Sequence, residues 1–170
     1  MLLWVLQVSV SLFSSAARSD SFDAGGGSAT GVDAVAIGES ASASGNYSAA
    51  VGATSNATST GSIAIGNASR SLDTGATALG LAAFSNGINA IAVGSNSAAQ
   101  SNQSIAVGAD ANANGTGAIA VGSNSNAATN GATAVGPNAV AAGTTSVGVG
   151  SNAAAQSNQS IAVGADANAN

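Results

Sequence analysis

The sequence predicts an all-β fold, a parallel β-roll (a solenoid) built from 14-residue coils that each contain two short strands. A glycine recurs ten times, at every fourteenth position from Gly38 to Gly164. The residues before it alternate between aliphatic and small, as in Ile-Ala-Val-Gly at 105–108. Alternation with period two is typical of a strand whose two faces differ. One unit cannot bury its apolar face alone, but stacked units can, so the repeat predicts a stack of coils.

The amino-acid composition excludes several classes of protein and of binding site. The 170 residues carry a net charge of -5 and include two Lys or Arg, no histidine and no cysteine. A nucleic-acid-binding protein would need a basic stripe, so no nucleic-acid partner is expected. Disulfides and thiolate metal sites are excluded. The hydrophobic fraction of 45% is mostly alanine, and aromatic residues make up 3%, so any core must be thin.

The amino-terminal region is predicted to be a signal peptide over residues 1–17. Residues 1–13 are mostly apolar and too few to span a bilayer, and the small residues Ser-Ser-Ala-Ala follow at 14–17. No Lys or Arg precedes the apolar run, which is a departure from the usual pattern. Residues 18–31, with three glycines at 25–27, are interpreted as a Gly-rich linker.

The β-roll is predicted over residues 32–170, as about ten repeats. The repeats place aliphatic or β-branched residues one and three positions before the glycine, with alanine between them; the exceptions are Ala49, three before its glycine, and Gly148, in place of the alanine. Small residues, such as Ala111 and Ala113, lie three and five positions after the glycine, and polar residues lie between them. A second glycine or a Ser, Thr or Asp then marks a turn, as at Gly115, where we expect a left-handed backbone.

The interior of the roll could be filled in two ways. We expect Ile and Val of one strand, such as Ile105 and Val107, to pack inward against the alanine pair of the other strand. The opposite assignment, with Ile and Val facing a partner chain, fits the same alternation. A coiled coil is disfavoured because residues two apart lie about 200° apart on a helix. Disorder is disfavoured because a featureless linker would have no reason to keep β-branched residues at the same position of ten successive repeats.

The motif Ser-Ile-Ala-Ile-Gly at 62–66, with Ser-Ile-Ala-Val-Gly at 104–108 and 160–164, resembles the signature of YadA-like head repeats. These repeats belong to the trimeric autotransporter adhesins of Gram-negative bacteria, and the similarity covers about residues 32–170. It implies a left-handed roll, a homotrimer formed through the aliphatic-containing strands, and a place on the outer membrane surface or in the secreted fraction. It also implies attachment to an extracellular matrix protein such as collagen, to host cells or to other bacteria.

The resemblance also implies candidate ligand-binding residues within the motif copies. They are Ser62, Ile63, Ala64, Ile65, Gly66, Ser104, Ile105, Ala106, Val107, Gly108, Ser160, Ile161, Ala162, Val163 and Gly164. The family's neck, coiled-coil stalk and membrane anchor have no counterpart here, so membrane attachment would depend on a missing carboxy-terminal anchor. Residues 151–170 repeat residues 95–114 with one change. We therefore expect a fragment of a longer adhesin, truncated at its carboxyl end.

Catalytic chemistry is not predicted. No cofactor, metal site or catalytic residue is expected, since Asp110 and Asp166 lie four repeats apart, too far to act as an acid–base pair. The segment 70–84 is irregular, with Leu72, Leu81 and Phe84 at positions that are polar or small elsewhere. It could form a local adhesive patch or simply an altered coil.

An ice-binding or other purely structural β-solenoid is the alternative function. It would require a regular row of threonines. The best candidate row, Thr60, Thr74, Thr116 and Thr144, is interrupted by asparagines and an isoleucine in the same column.

Overall fold

A computed structural model describes residues 21–170, which fold into 22 short β-strands. The predicted signal peptide at 1–17 and the first residues of the predicted linker lie outside the described residues. The described strands alternate along the chain between two kinds, one of three residues and one of two. Each coil contains one strand of each kind.

The three-residue strands form one sheet, called here the long-strand sheet. They are β1 Phe22–Ala24, β3 Val35–Ile37, β5 Ala49–Val51, β7 Ile63–Ile65, β9 Thr77–Leu79, β11 Ile91–Val93, β13 Ile105–Val107, β15 Ile119–Val121, β17 Thr133–Val135, β19 Val147–Val149 and β21 Ile161–Val163.

The two-residue strands form the second sheet, called here the short-strand sheet. They are β2 Ser28–Ala29, β4 Ser42–Ala43, β6 Asn56–Ala57, β8 Arg70–Ser71, β10 Phe84–Ser85, β12 Ala98–Ala99, β14 Asn112–Ala113, β16 Asn126–Ala127, β18 Val140–Ala141, β20 Ala154–Ala155 and β22 Asn168–Ala169.

All strand pairing among the described residues is parallel and joins equivalent residues of successive coils. Ile105 pairs with Ile119, and Asn112 pairs with Asn126, in each case the residue at the same position of the next coil. Each sheet has 11 strands in sequence order, so the described chain makes 11 coils. At about 4.8 Å per coil the stack is roughly 50 Å long. The predicted parallel roll of 14-residue coils with two short strands is confirmed.

The space between the two sheets is filled by alanine and serine. Most coils point four side chains inward, two from the region of each strand, as Ser104, Ala106, Ala111 and Ala113 show; all four are fully buried. Across residues 21–170, every residue of the buried hydrophobic core is an alanine. The expectation that Ile105 and Val107 pack inside was therefore wrong, because both lie on the outer face and only Ala106 between them points inward.

The narrow separation of the sheets explains this arrangement. Short strands joined by tight turns hold the two sheets so close that a methyl or hydroxymethyl group fills the gap. Gly148 shows how little room there is: a Cβ added there would lie 2.7 Å from the carbonyl oxygen of Val140 in the opposite sheet. An isoleucine could not be placed at such a position without separating the sheets.

The first coil differs from the predicted boundary. Within the predicted linker at 18–31, β1 and β2 already belong to the roll, because Phe22–Ala24 pairs with β3 and Ser28–Ala29 pairs with β4. The connection between β1 and β2 is one residue shorter than the later connections of this kind. Phe22 therefore pairs with Val35, 13 residues later, whereas the other long strands pair with residues 14 positions away. Because of this shift, a search of the sequence for a fixed 14-residue period does not detect the first coil. The glycines at 25 and 26 have φ of 62° and 83° and form its turn.

The turns have a left-handed backbone, but at positions other than those predicted. Gly115 does not have a positive φ; positive values occur instead at Asp110 (57°) and Gly117 (65°), both later in the coil than Gly108. The recurring glycine itself has φ of 134° at Gly108, and a Cβ there would lie 2.5 Å from the carbonyl oxygen of Gly122. Backbone conformation and close approach of the next coil therefore both require glycine in this column.

Candidate binding surfaces

The predicted site residues divide between the interior and the surface. Fully or almost fully buried are Ser62, Ala64, Ser104, Ala106 and Ala162. Exposed or half-buried are Ile63, Ile65, Gly66, Ile105, Val107, Gly108, Ser160, Ile161, Val163 and Gly164. The structure thus places the three motif copies on equivalent long strands. Within each copy, only the aliphatic residues offer side chains large enough to contact a partner.

The buried serine of the motif stabilises a turn. The Ser104 hydroxyl donates a hydrogen bond of 2.6 Å to the carbonyl oxygen of Ser101, in the turn just before the strand. Ser48 makes the same bond to Gly45 in another coil, also at 2.6 Å. A buried hydroxyl needs such a partner, and the carbonyl group of Ser101 that supplies it also accepts the backbone N–H of Ser104 at 3.1 Å. The serine therefore has a structural role in these two coils, whereas the hydroxyl groups of Ser146 and Ser160 in the same column have no hydrogen-bond partner among the described residues.

The aliphatic side chains form a continuous apolar surface, called here the aliphatic face. It consists of the first and third residues of the long strands, from Val35 and Ile37 in β3 to Ile161 and Val163 in β21; all are valine, isoleucine or leucine except Ala49, Thr77 and Thr133. Ile63 and Ile65, in the fourth of the 11 coils, are 36% and 38% exposed. Such a row of exposed branched aliphatic residues is typical of an interaction surface.

The opposite face of the roll, the outer face of the short-strand sheet, is mainly polar. Its side chains come from the first residue of each short strand and from the residue after the strand. Asparagine, serine, threonine and glutamine predominate, and Gln100 donates a hydrogen bond of 3.3 Å from its side-chain amide to Asn112 in the next coil. The two outer faces of this thin roll are therefore chemically distinct.

Asparagines along one edge of the roll satisfy backbone groups. The side-chain oxygen of Asn102 accepts a hydrogen bond of 3.0 Å from the backbone N–H of Ile88, in the preceding coil. Asn130 and Asn158 accept equivalent bonds of 2.9 Å from Thr116 and Thr144. These asparagines interrupt the threonine row considered above for ice binding. Their presence there has a structural reason, since each satisfies an N–H group at the edge.

The other edge carries a row of asparagine and aspartate residues with left-handed backbone. Asn138 donates to Asn152 at 3.2 Å, and Asn152 donates to Asp166 at 2.9 Å. Asp110 likewise accepts a bond of 3.3 Å from Asn96. Asp110 and Asp166 are equivalent positions four coils apart, or roughly 19 Å at the spacing of strands in a sheet. They cannot act on one substrate group together.

The irregular segment places one cation and three large apolar side chains in two adjacent coils. Arg70 in β8 and Phe84 in β10 are paired residues on the outer face of the short-strand sheet. The guanidinium carbon of Arg70 lies 5.3 Å from the centroid of the Phe84 ring, a cation–π contact. Leu81 is 55% exposed, and Leu72 is half-buried.

Metal sites and membrane-spanning helices are not found within residues 21–170. No group of three or more acidic, histidine or cysteine side chains there is arranged to hold a metal ion. In that same part of the chain, no helix has the length and hydropathy needed to cross a bilayer.

Comparison with known proteins identifies the repeat. A family model described as the YadA head domain repeat (2 copies) matches the chain five times, over residues 29–55, 57–83, 85–111, 113–139 and 141–167. Each match spans nearly two of the 14-residue coils, and together the matches cover most of the chain. No curated protein sequence matches significantly.

Proposed function

Because this chain belongs to the family of YadA head domain repeats, we propose that it is the head of a trimeric bacterial surface adhesin. In this proposal three rolls pack through their aliphatic faces. The assembly then attaches to an extracellular matrix protein such as collagen, to host cells or to other bacteria. The location that follows is the exposed side of the outer membrane, or the secreted fraction.

The aliphatic face is the observation that carries the proposal. The side chains of Ile63, Ile65 and their equivalents are exposed or half-buried in the single chain, although burying branched aliphatic residues away from water is favourable. A second and third copy of the same chain can bury them, since the row repeats with the coil spacing. The aliphatic residues of the motif would then bind the partner subunits.

Attachment would be the role of the surfaces left free in such a trimer, chiefly the outer face of the short-strand sheet. This face repeats similar polar groups every ~4.8 Å along the stack. One coil offers few contacts, so a single-coil interaction would be weak. A trimer of 11-coil rolls on a cell surface multiplies these contacts, and multivalency raises the overall affinity without new kinds of contact.

An adhesion assay with an assembly control tests the proposal. The wild-type chain should sediment at roughly three times its monomer mass of 15.6 kDa and bind collagen-coated or host-cell-coated wells above albumin-coated wells. The double substitution Ile105→Asp with Ile119→Asp places charges on the aliphatic face. It should give monomers and lower adhesion at least about tenfold.

The matched control is Asn112→Asp with Asn126→Asp, which adds the same charge to the opposite sheet. This variant should remain trimeric. A wild-type chain that sediments as a monomer, or a trimer that survives the aspartates on the aliphatic face, would refute the assembly. A trimer that adheres no better to the coated wells than to albumin would refute the adhesive function.

A further inference from the structure

Arg70 and Phe84, with Leu72 just after β8 and Leu81 in the connection that precedes β10, are called here the Arg–Phe patch, and the trimer proposed above assigns this patch no role. Arg70 and Phe84 lie on the outer face of the short-strand sheet, opposite the aliphatic face. The equivalent positions in other coils are small or polar, apart from one valine and one proline, Val140 and Pro137. In the column of Arg70 they are Ser28, Ser42, Asn56, Ala98, Asn112, Asn126, Val140, Ala154 and Asn168. The patch is therefore a local departure from an otherwise regular face.

The charge of the patch is unbalanced. Arg70 is the only Lys or Arg among residues 21–170, in a chain whose net charge is -5. Within that part of the chain no carboxylate forms an ion pair with it, and its side chain contacts the Phe84 ring instead. A guanidinium group held beside an aromatic ring keeps its charge and most of its hydrogen-bond donors. It is therefore available to a carboxylate from another molecule.

The backbone beneath the patch is fixed before any partner arrives. β8 is paired on one side with β6 and on the other with β10. The carbonyl group of Leu72 accepts hydrogen bonds from the hydroxyl groups of Thr58 (3.0 Å) and Ser59 (2.6 Å). A partner that binds to this surface would order few groups of the roll itself. Preorganisation of this kind lowers the entropic cost of binding.

We propose that the Arg–Phe patch is a docking site for a protein segment that presents a carboxylate beside an apolar side chain. The carboxylate would accept hydrogen bonds from Arg70, and the apolar side chain would cover Phe84 and the leucines. The three large apolar residues favour a peptide over an acidic polysaccharide, because a sugar chain offers little apolar surface to cover them.

A titration of the isotope-labelled full chain with defined peptides tests the proposal by nuclear magnetic resonance. The probes are a short peptide that alternates Glu with Leu and Phe, its counterpart with every Glu replaced by Gln, and a heparin fragment. The Glu peptide should shift amide signals of residues 66–86 and leave equivalent coils unchanged. Arg70→Gln should weaken this binding about fivefold at low salt, and Phe84→Ala about tenfold.

Asn112→Ala and Asn126→Ala are matched controls in the same column and should leave the affinity unchanged. High salt should weaken the Glu peptide more than the Gln peptide, because the proposed contact is ionic. The proposal is overturned if the shifts spread evenly along the roll, if Arg70→Gln has no effect, if no peptide binds, or if heparin alone binds. The test is independent of trimer formation, since the substituted residues lie on the opposite sheet.

Discussion

At the scale of single residues, the glycine repeated at every fourteenth position shows how backbone conformation restricts the sequence. At Gly108, φ of 134° is a region that residues with a side chain rarely adopt. The same residue lies directly against the backbone of the next coil. Gly117, in the following turn, has φ of 65°, and a Cβ there would have nothing within 4 Å. A comparison of the two glycines therefore separates the effect of conformational strain from that of steric overlap.

Gly108→Ala should lower the free energy of unfolding by about 2–4 kcal/mol, since it adds both strain and a clash with the Gly122 carbonyl group. Gly117→Ala is the control and should cost only about 1 kcal/mol, because a left-handed backbone alone is unfavourable for alanine. Urea unfolding at one fixed protein concentration measures both. Equal losses in the two variants would contradict the steric explanation.

At the scale of the strand, the sequence was sufficient to predict alternation but not which face is buried. Period-two alternation is the same whether Ile105 or Ala106 points inward. The deciding quantity is the distance between the sheets, which depends on turn geometry. One signal was present in the ten repeats: the inward column is never larger than alanine and falls to glycine at Gly148, whereas the outer columns vary from Ala49 to Leu79. A strict upper limit on size indicates close packing.

The irregular segment shows the same division between what could and could not be predicted. The 14-residue spacing of Arg70 and Phe84 is enough to predict that they are neighbours in adjacent coils. Their cation–π contact and the absence of an ion pair for Arg70 within the described chain depend on side-chain conformation, which the spacing does not determine. The first coil was missed because its shortened connection breaks the period on which the prediction depended.

Ala106→Leu tests the assignment of the interior. Additional carbon atoms between the sheets should cost about 1–3 kcal/mol or abolish folding, because the gap at this position holds only a methyl group. Asn112→Leu introduces the same side chain on the outer face of the short-strand sheet and should change stability by less than about 1 kcal/mol. Thermal unfolding followed by circular dichroism measures both. If the aliphatic residues filled the interior, Ala106→Leu would be as harmless as Asn112→Leu.

At the scale of the whole molecule, the roll behaves as a stack in which each coil contacts only its two neighbours. The hydrogen bonds between coils follow the same pattern throughout, as between Gly108 and Val93 (2.8 Å) and between Gly122 and Val107 (2.8 Å). Stability is then a sum of nearly equal contributions from neighbouring coils. The length of the array can therefore change by whole coils without altering either outer face, and adhesive surface can be added or removed one coil at a time.

Removal of residues 109–122, one complete coil, should leave a folded roll. Gly108 would be followed by Ser123, the residue that follows Gly122 in the intact chain, so β13 would pair with β17 in the same register. The β-sheet signal in circular dichroism should fall by roughly one strand in the 11 of each sheet, with little change in the midpoint of unfolding.

Removal of residues 109–115 is the control for this deletion, because it removes β14 alone and places β15 where a short strand belongs. In that variant Ile119 and Val121 would lie beside the short strand β12. The turn after Gly108 would be the one that normally precedes a long strand. We expect it to unfold from the cut or to lose at least several kcal/mol of stability, since every later residue shifts by half a coil and Thr129 takes the place of a recurring glycine, where the backbone conformation and the close approach of the next coil both exclude a side chain. Equal tolerance of the two deletions would show that the 14-residue coil is not the unit from which the molecule is built.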